Sequence, residues 1–142
     1  MTYEKLLLLP VFAHVAMILA SVFWLGFSRV AAVRRGDVKV KDIALDSENW
    51  PDELRKRANN YRNQFELPVL FYALVAFVLA MNLAGPVELI LAWIFVLTRF
   101  VHSYIHTGTN YVRHRFYAFA SSAFTLTLMW AWFAVRVLAG GG

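Results

Sequence analysis

The hydrophobic pattern of the chain consists of four long apolar segments separated by polar connections. Three segments are uninterrupted apolar runs, and each is about as long as the roughly 20 residues that cross a bilayer as a helix. They are residues 6–28, 67–85 and 116–135. The other segment begins at Pro86 and carries Glu88 and Arg99, but its helical continuation through Ile105 makes it long enough to span. The pattern therefore predicts four transmembrane helices.

These segments predict an all-α integral membrane protein, a four-helix bundle that forms a single domain over residues 1–142. The expected helices cover about residues 4–34, 52–84, 86–108 and 114–138. The first is interpreted as a retained span, because it is too long for a signal peptide and basic residues follow it. The second is expected to start at Pro51, since proline followed by Asp52 and Glu53 is typical of a first helical turn.

The composition supports the membrane assignment and limits the chemistry. Of the 142 residues, 60% are hydrophobic, and the mean hydropathy is +0.53. The chain contains no cysteine, which excludes disulfides, thiolate metal sites and a protein thiol nucleophile. Thiol chemistry would therefore use the sulfur of a substrate.

Basic residues indicate the orientation in the membrane. Most of the 14 Lys and Arg residues lie in two connections, residues 34–62 and 113–115, while the opposite connection around residues 82–86 carries no charge. Because basic loops remain in the cytoplasm, both termini are expected outside. The sequence pI near 9.8 requires no nucleic acid partner, since the excess positive charge lies where anionic lipid headgroups attract it.

A polar stripe lies in the stretch TRFVHSYIHTGTNYVRHRF, residues 98–116. On a continuous helix its polar members share one face of roughly 80°: Arg99, His102, His106, Asn110 and Arg113. Asn59, Asn63 and Glu66 share a face of the second helix. Polar groups in hydrocarbon cost several kcal/mol and often mark a site, so the two faces are expected to meet, with Glu66 paired to Arg99.

Two other interpretations of these residues remain. In one, the side chains reach the lipid headgroups and a buried Glu–Arg pair only holds the bundle together. In the other, His102 and His106 bind zinc together with Glu66. The surrounding arginines oppose a dication, and the glutamate that zinc proteases place between two histidines is missing, so we predict no metal.

In its four spans and three motifs, the chain resembles the membrane-associated proteins in eicosanoid and glutathione metabolism (MAPEG). The resemblance is to a bacterial-type member of that family. The motifs are NQFELP, RFVHSYIH and NYVRHRF, at residues 63–68, 99–106 and 110–116. The resemblance implies a homotrimer in the bacterial inner membrane. Glutathione would bind between adjacent subunits at the cytoplasmic leaflet, and a lipophilic substrate would enter from the bilayer lipids.

The resemblance also implies roles for individual residues. Arg115 matches the arginine that stabilises the glutathione thiolate in catalytic members. The same resemblance implies binding residues at Asn63, Glu66 and Arg99, and at either Arg29 or Arg34 in the first helix. The polar faces add Asn59, His102 and His106 to the expected binding residues, and Arg113 for positioning or lipid contact. Asn59 stands where the family has an arginine, and His106 stands where some members have a tyrosine.

The helical geometry and the resemblance disagree about Arg115. On a continuous helix this residue lies about 160° from Arg99, so it joins the same face only if residues 108–110 break the helix. A site between subunits also removes the conflict.

Two functions from different classes follow. The first is a glutathione-dependent transferase or peroxidase that acts on a lipophilic electrophile through an arginine-stabilised thiolate. The alternative is a noncatalytic lipid-binding or scaffold trimer that retains an anion pocket, which the asparagine at position 59 favours.

The orientation can be tested directly, because the natural chain offers no competing thiol. A Glu48→Cys variant is expected to resist a membrane-impermeant maleimide in intact cells and to react after lysis, since its connection carries most of the basic residues. Labelling from outside intact cells would reverse the predicted orientation.

Overall fold

The computed structural model describes residues 2–44 and 47–140, and these residues form helices and connections without strands. The elements are α1 (Tyr3–Arg35), α2 (Val40–Ile43), a 3₁₀ turn (Ser47–Asn49), α3 (Asp52–Asn63), α4 (Leu67–Ala80), α5 (Pro86–Thr107) and α6 (Val112–Leu138). Four segments are long and apolar enough to cross a membrane, with α3 and α4 together forming the second. The predicted all-α membrane fold with four spans is confirmed.

Helix α5 lies at the centre of the bundle and contacts α1, α3 and α6. In the core, the stacked rings of Phe71 and Phe95 have centroids 4.6 Å apart. His14 Nδ1 and the Tyr72 hydroxyl lie 2.5 Å apart and link α1 to α4. Large apolar side chains such as Phe124 are exposed on the outside, as expected for a surface that contacts lipid.

The second span is not one continuous helix. Residues 64–66 separate α3 from α4, and α4 ends at Ala80, before the predicted end at residue 84. Pro68 explains the break, because it has no N–H to donate to the carbonyl of Gln64 four residues earlier. At the other end, Asn82 has a φ of 54°, a left-handed conformation that ends the helix. The break at residues 64–66 leaves the last carbonyls of α3 to partners outside the helix.

A second break separates α5 from α6. The N–H of Gly108 bonds to the Tyr104 carbonyl, and the N–H of Asn110, which has a φ of 49°, bonds to the Ile105 carbonyl at 2.8 Å. Asparagine adopts this left-handed conformation more readily than most residues. The polar stretch of residues 98–116 is therefore two helices, and the positions of Arg113 and Arg115 do not follow from the face of α5.

Among the described residues, the one ion pair with a buried carboxylate lies at the end opposite the basic loops. Glu88 is 6% exposed and accepts hydrogen bonds of 2.8 Å from both Trp132 Nε1 and Arg136 Nη1. The same Arg136 nitrogen donates to the Leu83 carbonyl at 2.7 Å. These contacts join α5, α6 and the α4–α5 connection.

The predicted pair between Glu66 and Arg99 is wrong. Glu66 is exposed, and among the described residues it forms no ion pair with Arg99. Glu66 precedes α4 at the break, and Arg99 is bonded to uncharged acceptors instead.

The stability of the bundle is therefore expected to depend on Glu88 rather than on Glu66. Glu88→Gln should lower the free energy of unfolding by on the order of 1–3 kcal/mol, because it removes the charge that compensates Arg136. Glu66→Gln is the matched control and should change stability little. Thermal melting of both variants in detergent measures the difference, and equal melting temperatures would contradict the expectation.

Candidate functional site

A groove opens between α3, α5 and α6 at the end of the bundle that carries the basic loops. It has a volume of about 450 Å³. We call it the α3–α6 groove, and its lining residues are Asn59, Arg62, Asn63, Glu66, His102, His106, Val112, Arg115, Phe116 and Phe119. Helices α3 and α5 and the break after α3 supply polar groups, whereas α6 adds an apolar wall beside Arg115. Most of the predicted site residues thus lie in one groove.

Arg115 reaches the groove because of the break between α5 and α6. It lies in the first turn of α6, is half-buried, and donates from Nη1 to the Asn110 side-chain oxygen at 2.6 Å. The break thus brings Arg115 to His102 and His106 within a single chain. Arg113 is exposed and lies outside the groove lining, so its predicted grouping with the α5 stripe is wrong.

The two α5 histidines form the buried polar wall. His102 is 2% exposed and His106 is 4% exposed, and their rings are nearly perpendicular with centroids 5.5 Å apart. The amide nitrogen of Asn63 lies 3.5 Å from His106 Nδ1. His102 Nδ1 is buried without a hydrogen-bond partner among the described residues. A bound ligand or water would satisfy it, since buried polar groups are rarely left unpaired.

Arg99 lies behind the groove rather than in its lining. Its side chain is fully buried, and Nη2 donates to the Asn63 carbonyl at 2.9 Å and to Gln64 Oε1 at 3.1 Å. The Gln64 amide nitrogen donates to the side-chain oxygen of Asn60 at 3.2 Å, and Asn60 donates to Ser103 Oγ at 2.8 Å. Arg99 therefore supports the wall that carries Asn63.

Sequence reasoning did not single out Asn60 and Gln64. The signal was present in NNYRNQ, where these two amides are four residues apart and share a helix face. That face points towards α5, while Asn59 and Asn63 line the groove. Both amides are at most 1% exposed, which a polar residue tolerates only when it is hydrogen-bonded.

The first-helix arginines lie apart from Arg115. Arg29 lines a second groove of about 420 Å³ between α1 and α3, which we call the α1–α3 groove. Its guanidinium lies 4.8 Å from the centre of the Trp50 ring. Arg34 is exposed and lines neither groove. Only Arg62, among the described residues, lines both grooves, so a single chain does not bring Arg29 to Arg115.

The charges of the α3–α6 groove favour an anionic ligand. Arg62 and Arg115 line it, Arg99 is buried behind it, and Glu66 is its single acidic lining residue. Such a concave site with excess positive charge concentrates anions. Among the described residues, no group of three or more His, Cys, Asp or Glu side chains is arranged to hold a metal ion.

The family comparison agrees with the fold. The model of the MAPEG family matches residues 7–137, nearly the whole chain. The chain belongs to the MAPEG family. MAPEG proteins are membrane proteins of the glutathione-related transferase and peroxidase type, typically trimers that use glutathione and lipophilic substrates. Neither the curated proteins nor the solved structures contain a significant match to the chain.

Proposed function

We propose that this MAPEG protein is a glutathione-dependent transferase or peroxidase that acts on a lipophilic electrophile. The observation that carries the proposal is the composition of the α3–α6 groove. Arg115, two histidines and Asn63 line its polar side, and Phe116 and Phe119 line its apolar side. An anionic thiol and a hydrophobic partner thus have complementary surfaces within one groove.

Arg115 is proposed to hold the thiolate. A thiol with a pKa near 8.5 is only a few per cent ionised at pH 7, and a neighbouring guanidinium lowers that pKa by one or more units. Each unit corresponds to about 1.4 kcal/mol of preferential interaction with the anion. The hydrogen bond from Arg115 to Asn110 fixes the guanidinium before the ligand arrives, so little reorganisation is needed.

The other polar groups match the rest of glutathione. The tripeptide carries two carboxylates and one ammonium group. Arg62 is suited to a carboxylate, the Asn63 amide to a carboxylate or a peptide group, and Glu66 to the ammonium. Glu66 can bind the ammonium group because its carboxylate is exposed at the groove and forms no ion pair with Arg99.

The bound thiolate would attack an electrophile held against the α6 wall. In transfer, the sulfur forms a bond to the electrophilic carbon, and the leaving group departs with its bonding electrons. In peroxide reduction, the sulfur takes one oxygen as the O–O bond breaks, the alcohol leaves, and a second thiol converts the sulfenic acid to a disulfide and water. The apolar wall would hold the lipophilic reactant beside the sulfur, and such positioning favours both attacks.

We further propose that the site is completed in a homotrimer. Both grooves border α3 and share Arg62, so the α1–α3 groove of one subunit can lie against the α3–α6 groove of the next. Arg29 would then join the glutathione site, and its buried Nε, which has no partner among the described residues, would gain one. Arg34 is not assigned to the site. The basic loops would lie on the cytoplasmic side of the inner membrane.

A noncatalytic lipid-binding trimer is the second candidate. Asn59 lines the groove where the family resemblance implies an arginine, so one expected cation for a carboxylate is absent. The apolar wall would then bind an acyl chain, and Arg62 and Arg115 would bind a headgroup phosphate.

Arg115→Ala should separate thiol ionisation from thiol binding. We expect the thiolate absorbance near the ultraviolet edge to disappear at pH 7 and turnover with a chlorodinitrobenzene-type electrophile to fall on the order of 10²-fold. Binding of glutathione should weaken only a few-fold, because Arg62, Asn63 and Glu66 remain. The measurement is a pH titration of that absorbance with the purified protein, alongside turnover.

Arg113→Ala is the matched control for this experiment. It removes the same charge two residues away, from an exposed side chain outside the groove, and should leave both quantities unchanged. If the natural protein binds no thiol, or shows no thiolate below pH 8, the enzyme proposal fails and the lipid-binding trimer becomes the better account.

A further inference from the structure

Arg99 is a fully buried cation with no carboxylate within ion-pair distance among the described residues. Its exposed fraction is 0%, and it is the largest of the fully buried side chains. None of the ion pairs among the described residues includes Arg99. Burying an unpaired charge costs several kcal/mol, so its other partners determine whether this arrangement is stable.

The first partner of Arg99 is the end of a helix. Nη2 donates to the carbonyl of Asn63, the last residue of α3, at 2.9 Å. The N–H groups of Gln64 and Phe65 bond to the carbonyls of Tyr61 and Arg62, and the Asn63 carbonyl is left to bond Arg99. The carbonyls at this end carry the partial negative charge of the helix dipole. Arg99 thus caps α3 from a neighbouring helix.

The second partner is the neutral amide of Gln64, which is fixed from its other side. Gln64 Nε2 donates to the backbone and side-chain oxygens of Asn60 at 3.1 and 3.2 Å, so Oε1 faces Arg99. Asn60 donates in turn to Ser103 Oγ at 2.8 Å. Arg99 and Ser103 are four residues apart on α5, so the four side chains close a ring between α3 and α5.

We propose that Gln64 is a positioning residue for the anion site in the α3–α6 groove. It holds the end of α3, which carries Asn63, at a fixed place on α5. Because its acceptor is uncharged, it adds no negative charge beside Arg99, whose positive charge otherwise interacts with the Glu66 carboxylate beyond ion-pair distance. The part of this proposal that concerns thiol binding rests on the proposed function.

The charge on this acceptor matters because water does not screen Arg99. His102 follows Arg99 by about one helical turn on α5 and lines the groove. An anion bound beside His102 would therefore lie near the Arg99 guanidinium. Because Arg99 is fully buried, the protein between it and the groove screens its charge less than water would. A carboxylate at position 64 would pair with Arg99 and cancel this effect while keeping the size and shape of the side chain.

Two variants of Gln64 separate its positioning role from its electrostatic role. Gln64→Glu keeps the shape and the acceptor for Arg99 but adds a negative charge and removes the two hydrogen bonds that Nε2 donates to Asn60. Gln64→Leu keeps approximately the volume but removes the acceptor. Asn82→Asp is the charge control, since it adds the same charge in the α4–α5 connection, where Asn82 has a left-handed backbone that aspartate also tolerates.

For Gln64→Glu we expect a melting temperature above that of Gln64→Leu, because the ion pair with Arg99 offsets part of the loss of the Asn60 hydrogen bonds. Glutathione should nevertheless bind on the order of tenfold more weakly, and the titration of its thiolate absorbance should move to higher pH, because the added charge cancels that of Arg99. Asn82→Asp should change neither quantity. Unaltered binding and titration in Gln64→Glu would overturn the electrostatic role.

Hydrogen exchange gives a measurement that does not require thiol binding. In Gln64→Leu the backbone amides of residues 63–67 should exchange faster and the melting temperature should fall, because the end of α3 loses its attachment to α5. In Gln64→Glu these amides should exchange more slowly than in Gln64→Leu, because the bond to Arg99 remains. Unaltered exchange in Gln64→Leu would overturn the positioning role. If no thiol binds to the natural protein, the proposed function fails, while the exchange result still decides the role of Gln64.

Discussion

The bonding of the buried Arg99 guanidinium fixes the geometry on which the site depends. A cation in the interior of a membrane bundle is tolerated only when polar groups replace its hydration. Here Nη2 bonds to the Asn63 carbonyl, at the end of α3, and to the Gln64 amide, whereas Nε and Nη1 have no hydrogen-bond partner among the described residues. Because both acceptors lie at the α3–α4 break, the hydrogen bonds of one buried charge also fix the break, and with it the positions of Asn63 and Glu66 on the groove wall.

The spans of this protein were predictable from sequence because they depend on composition summed over many residues. A bilayer requires long apolar helices, so hydropathy gives their number and approximate limits. The meeting of α3 with α5 also followed from the helical spacing of the stripe that contains His102 and His106, since polar faces in a membrane turn towards each other. The breaks are local events with recognisable residues, Pro68 and the Gly108–Asn110 turn, but their effect on helix direction is not a local property.

The pairing of individual side chains was less predictable. Once a helix breaks, the next one starts with a new rotation. A continuous helix would place Arg113 on the face of the α5 stripe and Arg115 away from it, whereas the break places Arg115 in the groove and leaves Arg113 exposed. Glu66 and Glu88 differ in burial because the first lies at a break and the second faces Arg136 on another helix. Such choices depend on where distant residues arrive in space, and a single sequence carries little information about that.

The contact between Glu88 and Arg136 has a consequence for how the chain enters the membrane. The two residues are separated by 48 positions, so Glu88 has no ionic partner until most of α6 has been synthesised. A lone carboxylate in an inserting helix is costly, whereas a hairpin of α5 and α6 carries its own counter-charge. Cotranslational insertion is therefore favoured when these two helices enter the bilayer together as a pair, and the Trp132 hydrogen bond to Glu88 completes the closure of that hairpin.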